Sequence, residues 1–463
     1  MSKRILLAVF LAILMAGCQA QPAAVPALAE VPVSIEPEQP PGDESGYISE
    51  NDYEYTNVTI YEPVPESPPG YVAAAANQHP RPAQSQTTRG PLDMEVRAVW
   101  ISFLELGPWL SGRTEAQFTA TVREAFDNIR EFGLNTVIVQ VRPFADALYE
   151  SAYFPWSHIA TGVEGQNPGF DPLEIMVQEA RARGLRIEAW VNPYRIRHNI
   201  NTHPLAQNNP AGPWISDGSG RAAVSPGGFA TFNPASTDVQ DLIIRGVREL
   251  VRNYDIDGIH IDDYFYPETR TDFDQTFDLA SFRAYQNAGG TLSHEDWRRQ
   301  NVDTLIRRMY FAIKEENPNA LFGISPQSNI EANYSRLFFD VERAVRAGHF
   351  DYIAPQIYFG FNHATLPFAQ VFDRWAQMVS GTDVMLYVGL ASYKIGLYDR
   401  WAGAGAAEWQ NNTDLIVRKV QHSRGAQNYA GFILFRYDSV FRPAQSLQDH
   451  VQQENVNLRN ILN

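Results

Sequence analysis

Eight short apolar runs recur between residues 96 and 437, separated by stretches with helical spacing, and that alternation leaves few folds open. The runs cover residues 96–103, 135–141, 186–192, 258–264, 321–325, 352–358, 384–390 and 432–437. After the first, Phe118, Val122, Ala125, Phe126 and Ile129 fall on one side of a helix that Gly133 would end. Before the fourth, Val239, Leu242, Ile243, Val247, Leu250 and Val251 do the same, with Ser236 as the N-cap. Strands joined by helices pair in parallel and carry their helices outside. Eight of them predict an α/β fold, a (β/α)8 TIM barrel, with a doubly wound sheet as the alternative.

The fourth run carries the densest chemistry. In residues 255–267, DIDGIHIDDYFYP, the side chains alternate between two faces as a strand requires. Ile259 and Ile261 share one face, and His260, Asp262 and Tyr264 the other. The strand ends in two adjacent carboxylates, Asp262 and Asp263. Packed together they repel, so one is expected to hold a proton at neutral pH. Such a pair serves acid–base chemistry; it would equally serve to accept backbone or arginine hydrogen bonds and to cap a loop.

Other runs also end in polar groups: Gln140-Val141-Arg142-Pro143, Asn192-Pro193-Tyr194-Arg195, Ser325-Pro326-Gln327 and Pro355-Gln356-Ile357-Tyr358. Polar residues at C-terminal strand ends lie where barrel active sites are built. Long loops follow the third strand (residues 196–234) and the fourth (267–293), and loops of that length are usually lids or binding walls. Trp214 in the first of them is read either as a platform for the apolar face of a sugar or as a mini-core that holds the loop down.

The N-terminal part has a different character. Lys3 and Arg4 precede an apolar run, residues 5–15, then Ala16-Gly17-Cys18, the pattern of a secretory signal too short to span a bilayer. Met-Ala-Gly-Cys resembles a bacterial lipobox, which implies cleavage before Cys18 and lipidation there. Cys18 is the only cysteine, so the rest of the chain has no disulfide, thiolate metal cage or Cys nucleophile. Residues 18–92 turn to Pro, Ala, Ser and Glu, with ten acids against Arg81 and Arg89. Such a segment buries too little apolar surface to fold and is expected to be a disordered tether. The expected organisation is a signal peptide at 1–17, a lipidated tether at 18–92 and the barrel at 93–463. Much of the net charge of −16 lies in the tether, and nucleic acid is not an expected partner. Gln19 after the Cys suits an outer-membrane destination where the cell has two membranes.

Taken in order, EVRAVWIS (95–102), NTVIVQVRP (135–143), AWVNPYR (189–195), DGIHIDDYFYP (257–267), GISP (323–326), DYIAPQIYF (351–359) and YVGLASYKIG (387–396) resemble the bacterial glycosyl-hydrolase-like family 10 lipoproteins. The resemblance covers nearly the whole folded part. It implies a TIM barrel, a glycoside-cleaving function in the cell envelope, and peptidoglycan strands with 2-acetamido sugars as the glycan. The fourth strand also resembles the chitinase pattern D-G-x-D-x-D-x-E at Asp257, Gly258 and Asp262. It departs from that pattern at His260 and at Tyr264, which replaces the general acid. An amylase-like comparison instead makes the strand-four Asp a nucleophile and seeks its acid at Glu331.

Asp262 is therefore the first candidate carboxylate and Asp263 the second. Glu188 shares a face with Trp190 and Asn192 but lies deeper; it is expected to pair with Arg97, Arg142 or His260, and such a buried acid could also serve as proton donor. Arg142, Asn192, Tyr194, Arg195, Gln356 and Tyr358 suit sugar hydroxyls or an acetamido carbonyl, and His260 suits an interior or Asp-orienting role. His198 and His203 lack a matching acidic pair, so no metal or cofactor is expected. The expected function is an envelope-anchored glycoside hydrolase. A glycan-binding lipoprotein that lost its acid is the alternative, as is a hydrolase of another surface polysaccharide.

Overall fold

The computed structural model describes residues 94–462. The signal, tether and Cys18 expectations lie outside the described residues. Eight parallel strands close into a barrel in sequential order: Val96–Ile101, Thr136–Arg142, Arg186–Val191, Gly258–Asp262, Leu321–Ser325, Tyr352–Ile353, Met385–Ala391 and Tyr429–Phe435, numbered here as barrel strands one to eight. The first strand pairs with both the second and the eighth, which rules out the doubly wound alternative. The expected helices form at Glu115–Phe132 and Thr237–Asn253. Thr114 and Ser236 cap their N-termini, and Gly133 ends the first helix at φ 99°, a left-handed conformation that glycine adopts without a Cβ penalty.

Strand six is shorter than its sequence run. Pairing stops after Ile353, because Pro355 has no N–H to donate, and resumes only as single bridges from Gln356 to Gln327 and Gly389. The loop after strand three is not irregular throughout: Arg195–Arg197, Ala222–Val224 and Ala230–Phe232 make a small antiparallel sheet. Arg197 pins that loop with two buried ion pairs, to Asp146 at 2.7 Å and Glu164 at 2.6 Å. The loop after strand four is tied down by Asp278, which Arg298 meets at 2.6 Å.

Two cores result. Apolar residues between strands and helices form the larger one; Val96, Ala98, Trp100, Ile138, Trp190, Tyr352, Ala354, Tyr387, Ile433 and Phe435 fill the barrel. These large rings need room on facing strands, and Gly323 supplies it. A Cβ there would lie 1.8 Å from Cζ of Tyr352, whose ring stacks on Tyr387. Gly323→Ala is therefore expected to lower stability by about 3 kcal/mol, the upper range for overpacking a core. Thermal unfolding checks it, and an unchanged melting temperature would contradict the packing described.

Candidate active site

Barrel strand four brings its chemistry to the C-terminal mouth by simple alternation. Ile259 and Ile261 join the outer core, while His260 and Asp262 turn inward. Asp262 is only 2% exposed, yet both its oxygens are bonded. The Asn192 amide donates to Oδ1 and Oδ2 at 2.7 Å each, the Trp190 indole to Oδ2 at 3.1 Å, and the Tyr264 backbone N–H to Oδ1 at 3.3 Å. The orientation of Asn192 is itself fixed: its Oδ1 accepts from Gln140 at 2.7 Å, and Gln140 accepts from the Phe103 N–H at 3.0 Å. A hydrogen-bonded chain thus runs along the mouth from strand one to strand four. Burial raises the Asp262 carboxyl to about 6, against the pull of the Arg195 charge and these donors.

Asp263 sits in the opposite environment. It is 1% exposed, and both oxygens are sealed from solvent without a well-formed hydrogen bond. Burial, then the neighbouring Asp262 charge, hold its carboxyl well above the usual range; the backbone amides of Asp263 and Gln327 oppose this weakly. Among the described residues no arginine bonds either aspartate. Adjacent acids in one tip therefore differ: one has the donors to stay charged, the other has the surroundings to stay protonated.

Beneath Asp262 lies a buried hydrogen-bonded chain. The Trp100 indole donates to His260 Nε2 at 3.2 Å, so that nitrogen is the acceptor and Nδ1 carries the proton. Nδ1 meets the Tyr352 hydroxyl at 2.8 Å, which donates to Glu188 Oε2 at 2.5 Å. Burial lowers His260 to about 3 and raises Glu188 to about 7, so the histidine is uncharged at neutral pH. Glu188 reaches His260 through Tyr352; Arg97 instead bonds Glu95 at 3.0 Å.

Of the other sequence candidates, Arg195, Tyr264, Gln356 and Tyr358 stand around this mouth. The Arg195 guanidinium lies 4.6 Å from the Tyr264 ring centroid. Gln356 donates to Ser325 O at 3.0 Å, and Tyr358 packs on Phe435 and Tyr393. Four candidates go elsewhere. A register shift after Gln140 turns Arg142 out of the barrel interior, onto the Phe154 ring at 4.4 Å and near Tyr149 and Glu249. Tyr194 is fully buried in the outer core. Trp214 packs against Phe232 and Arg221, the mini-core alternative for that loop. Glu331 is exposed and held ionised by Arg374 at 2.5 Å, which does not suit a proton donor. Gln140, Trp100, Trp190 and Tyr352 were absent from the sequence candidates. Gln140 had a signal, since period two places it on the inward face with Ile138. Tyr352 had none, because its partners lie on strands three and four. Among the described residues no cluster of three or more His, Cys, Asp or Glu side chains is placed to hold a metal.

A closed parallel (β/α)8 barrel with carboxyls at the C-terminal tip of strand four is an architecture on which glycoside hydrolases are built. The chain belongs to the glycosyl hydrolase-like 10 family, whose model matches residues 95–402. It is 36% identical over 326 residues to the glycosyl hydrolase YngK of Bacillus subtilis, covering 65% of this chain and 62% of that protein. It is 31% identical over 419 residues to the glycosyl hydrolase DigH of Escherichia coli, covering 81% of this chain and 89% of the other. In fold it is similar to the glycoside hydrolase domain of PgaB (BpsB) from Bordetella bronchiseptica, with TM-score 0.50 and 13% identity over 77% of this chain and 99% of that one. It is also similar to the β-amylase catalytic domain of Paenibacillus polymyxa, with TM-score 0.51 and 10% identity over 80% and 99%.

Both aspartates have pKa values raised on folding, so the stability they contribute is complete below the unfolded value of 3.8 and is lost as pH rises through the folded value. For Asp262 that window runs from 3.8 to about 6, on the order of 3 kcal/mol. Asp263→Asn removes such a group without breaking a side-chain hydrogen bond. Its melting temperature relative to wild type is expected to climb as pH rises above about 4, the unfolded value. Asp262→Asn sets a new NH2 against the donors of Asn192 or Trp190 and is expected to give a smaller gain or a net loss. A pH-independent difference for Asp263→Asn would contradict the protonated assignment. Glu331→Gln, on an exposed pair, should change stability by less than about 1 kcal/mol.

Proposed function

We propose that the protein is an envelope-anchored glycoside hydrolase that cleaves a bacterial cell-wall glycan, peptidoglycan strands with 2-acetamido sugars. The observation that carries this reading is the contrast between Asp262 and Asp263: a carboxyl with donors on both oxygens beside a buried one without them. Asp263 is the proton donor to the departing glycosidic oxygen, a role that requires substrate binding to shift the strand tip and uncover its sealed oxygens. Asp262, ionised above about pH 6, steers the substrate's acetamido group. That group's carbonyl oxygen then attacks the anomeric carbon as the glycosidic bond breaks, and water opens the resulting ring while Asp263 recovers its proton. Adjacent carboxyls on one strand tip favour this division of labour over two carboxyls facing each other across the sugar. Membership of the family and the two curated hydrolases it resembles support the reaction class. The signal and lipobox pattern at residues 1–18 supports export and anchoring through Cys18, on the periplasmic face of an outer membrane where one exists.

Turnover on glycan strands stripped of stem peptides tests the chemistry. Wild type is expected to cleave them with an acid limb near pH 6, set by ionisation of Asp262. Asp262→Asn and Asp263→Asn should each lose about 1,000-fold in kcat or more while still binding the strands. Strand binding by wild type with no cleavage would overturn the hydrolase reading in favour of a glycan-binding lipoprotein, which the Tyr264 position leaves open. Cys18→Ala tests the anchor: it is expected to abolish lipid labelling and release the protein from the membrane fraction. Unchanged fractionation would overturn it.

A further inference from the structure

We propose that Arg195 selects for a carboxylate on the sugar bound beside Asp262, so that the preferred substrate is an acidic glycan. This rests on the hydrolase reading above and specifies its substrate. Arg195 follows strand three by a short turn and opens the small sheet of the next loop. Its Nε donates to Pro143 O at 3.0 Å. Its guanidinium lies 4.6 Å from the Tyr264 ring centroid and 5.0 Å from that of Phe144. A backbone anchor and two aromatic contacts together fix the plane of the cation.

What Arg195 lacks is an anion. Two other arginines of these loops have theirs: Arg197 holds Asp146 and Glu164, and Arg298 holds Asp278. Arg142 also lacks one among the described residues, but it is sealed in the outer core on the Phe154 ring rather than at the mouth. Among the described residues Arg195 forms no ion pair, and its buried Nη2 has no hydrogen bond. Asp262 is the obvious internal partner, but the donors of Asn192, Trp190 and Tyr264 already hold its oxygens. Arg195 is still near enough for its charge to favour the ionised form of Asp262.

An oriented guanidinium with an unbonded Nη2 is complementary to a carboxylate, which it meets through charge-assisted hydrogen bonds. A neutral hydroxyl or amide oxygen satisfies less of it and leaves the charge unpaired. Two kinds of sugar supply the group: a 2-acetamido sugar with a carboxylate-bearing ether, and a uronic acid.

The test compares oligosaccharides of equal length: strands with the free ether carboxylate, the same strands with that carboxyl amidated, and a uronic-acid oligosaccharide. Wild type is expected to favour the free carboxylate over its amide by about tenfold or more in kcat/KM, the scale of a charge-assisted hydrogen bond. Arg195→Met is expected to bring that ratio close to one, mostly through KM, and Arg195→Lys to restore part of it. Because the preference is a ratio within one protein, a general loss of fold or activity does not imitate it. Cleavage of both strands without preference, or a preference that survives Arg195→Met, would overturn the proposal and leave the hydrolase reading standing. Binding of the same pair to Asp262→Asn separates the reverse case: an Arg195-dependent preference in binding without wild-type turnover would support this inference while sinking the hydrolase reading. The uronic-acid arm decides which source of carboxylate the site takes.

Discussion

A carboxylate that is 2% exposed stays available as a charge only when donors replace the water it has lost, and the bonds from Asn192 to both oxygens of Asp262 do that here. Those bonds depend on the amide being turned the right way. Gln140 sets it by donating to Asn192 Oδ1, and the Phe103 backbone sets Gln140 in turn. Three of the barrel's C-terminal strand ends, the start of the loop after strand one, Gln140 on strand two and Trp190 with Asn192 at strand three, are thereby linked to one side chain on strand four. Loss of any link would leave a polar group buried without a partner, which costs more than the bond itself contributes.

The floor of the site works by exclusion of charge. His260 is held neutral by burial, its acceptor nitrogen facing Trp100 and its proton facing Tyr352. Tyr352 reaches both His260 and Glu188 because Gly323 leaves space under its ring. Burial of Asp263 is opposed only by the backbone amides of Asp263 and Gln327, and the charge of Asp262 next to it raises its pKa further. The unlike pair follows from the donors that reach Asp262 and do not reach Asp263. Above the tip, Arg195 brings the positive charge that the interior lacks, on a side chain held by rings rather than by an acid.

Much of this was legible in the chain. Period two in residues 258–264 placed His260 and Asp262 on the inward face, and the repulsion of adjacent carboxyls implied one retained proton. Thr114, Gly133 and Ser236 marked helix ends because capping is local chemistry. Arg142 was misplaced because alternation assumes an unbroken strand, and a register shift after Gln140 changes its side. Glu331 followed an analogy about strand order, whereas its neighbour Arg374 comes from a distant helix. The identity of Glu188's partner was hidden for the same reason: Tyr352 lies 164 residues away along the chain.

The sequence by itself determined the (β/α)8 alternation, the paired acids at the tip of the fourth strand and the family, because hydrophobic period, capping and motif order are properties of neighbouring residues. Only the tertiary structure decided which acid has donors on both oxygens, which is buried without them, and that Arg195 forms no ion pair among the described residues. Those outcomes depend on burial and on donors contributed by other strands, and no local pattern encodes the distance between side chains that folding brings together.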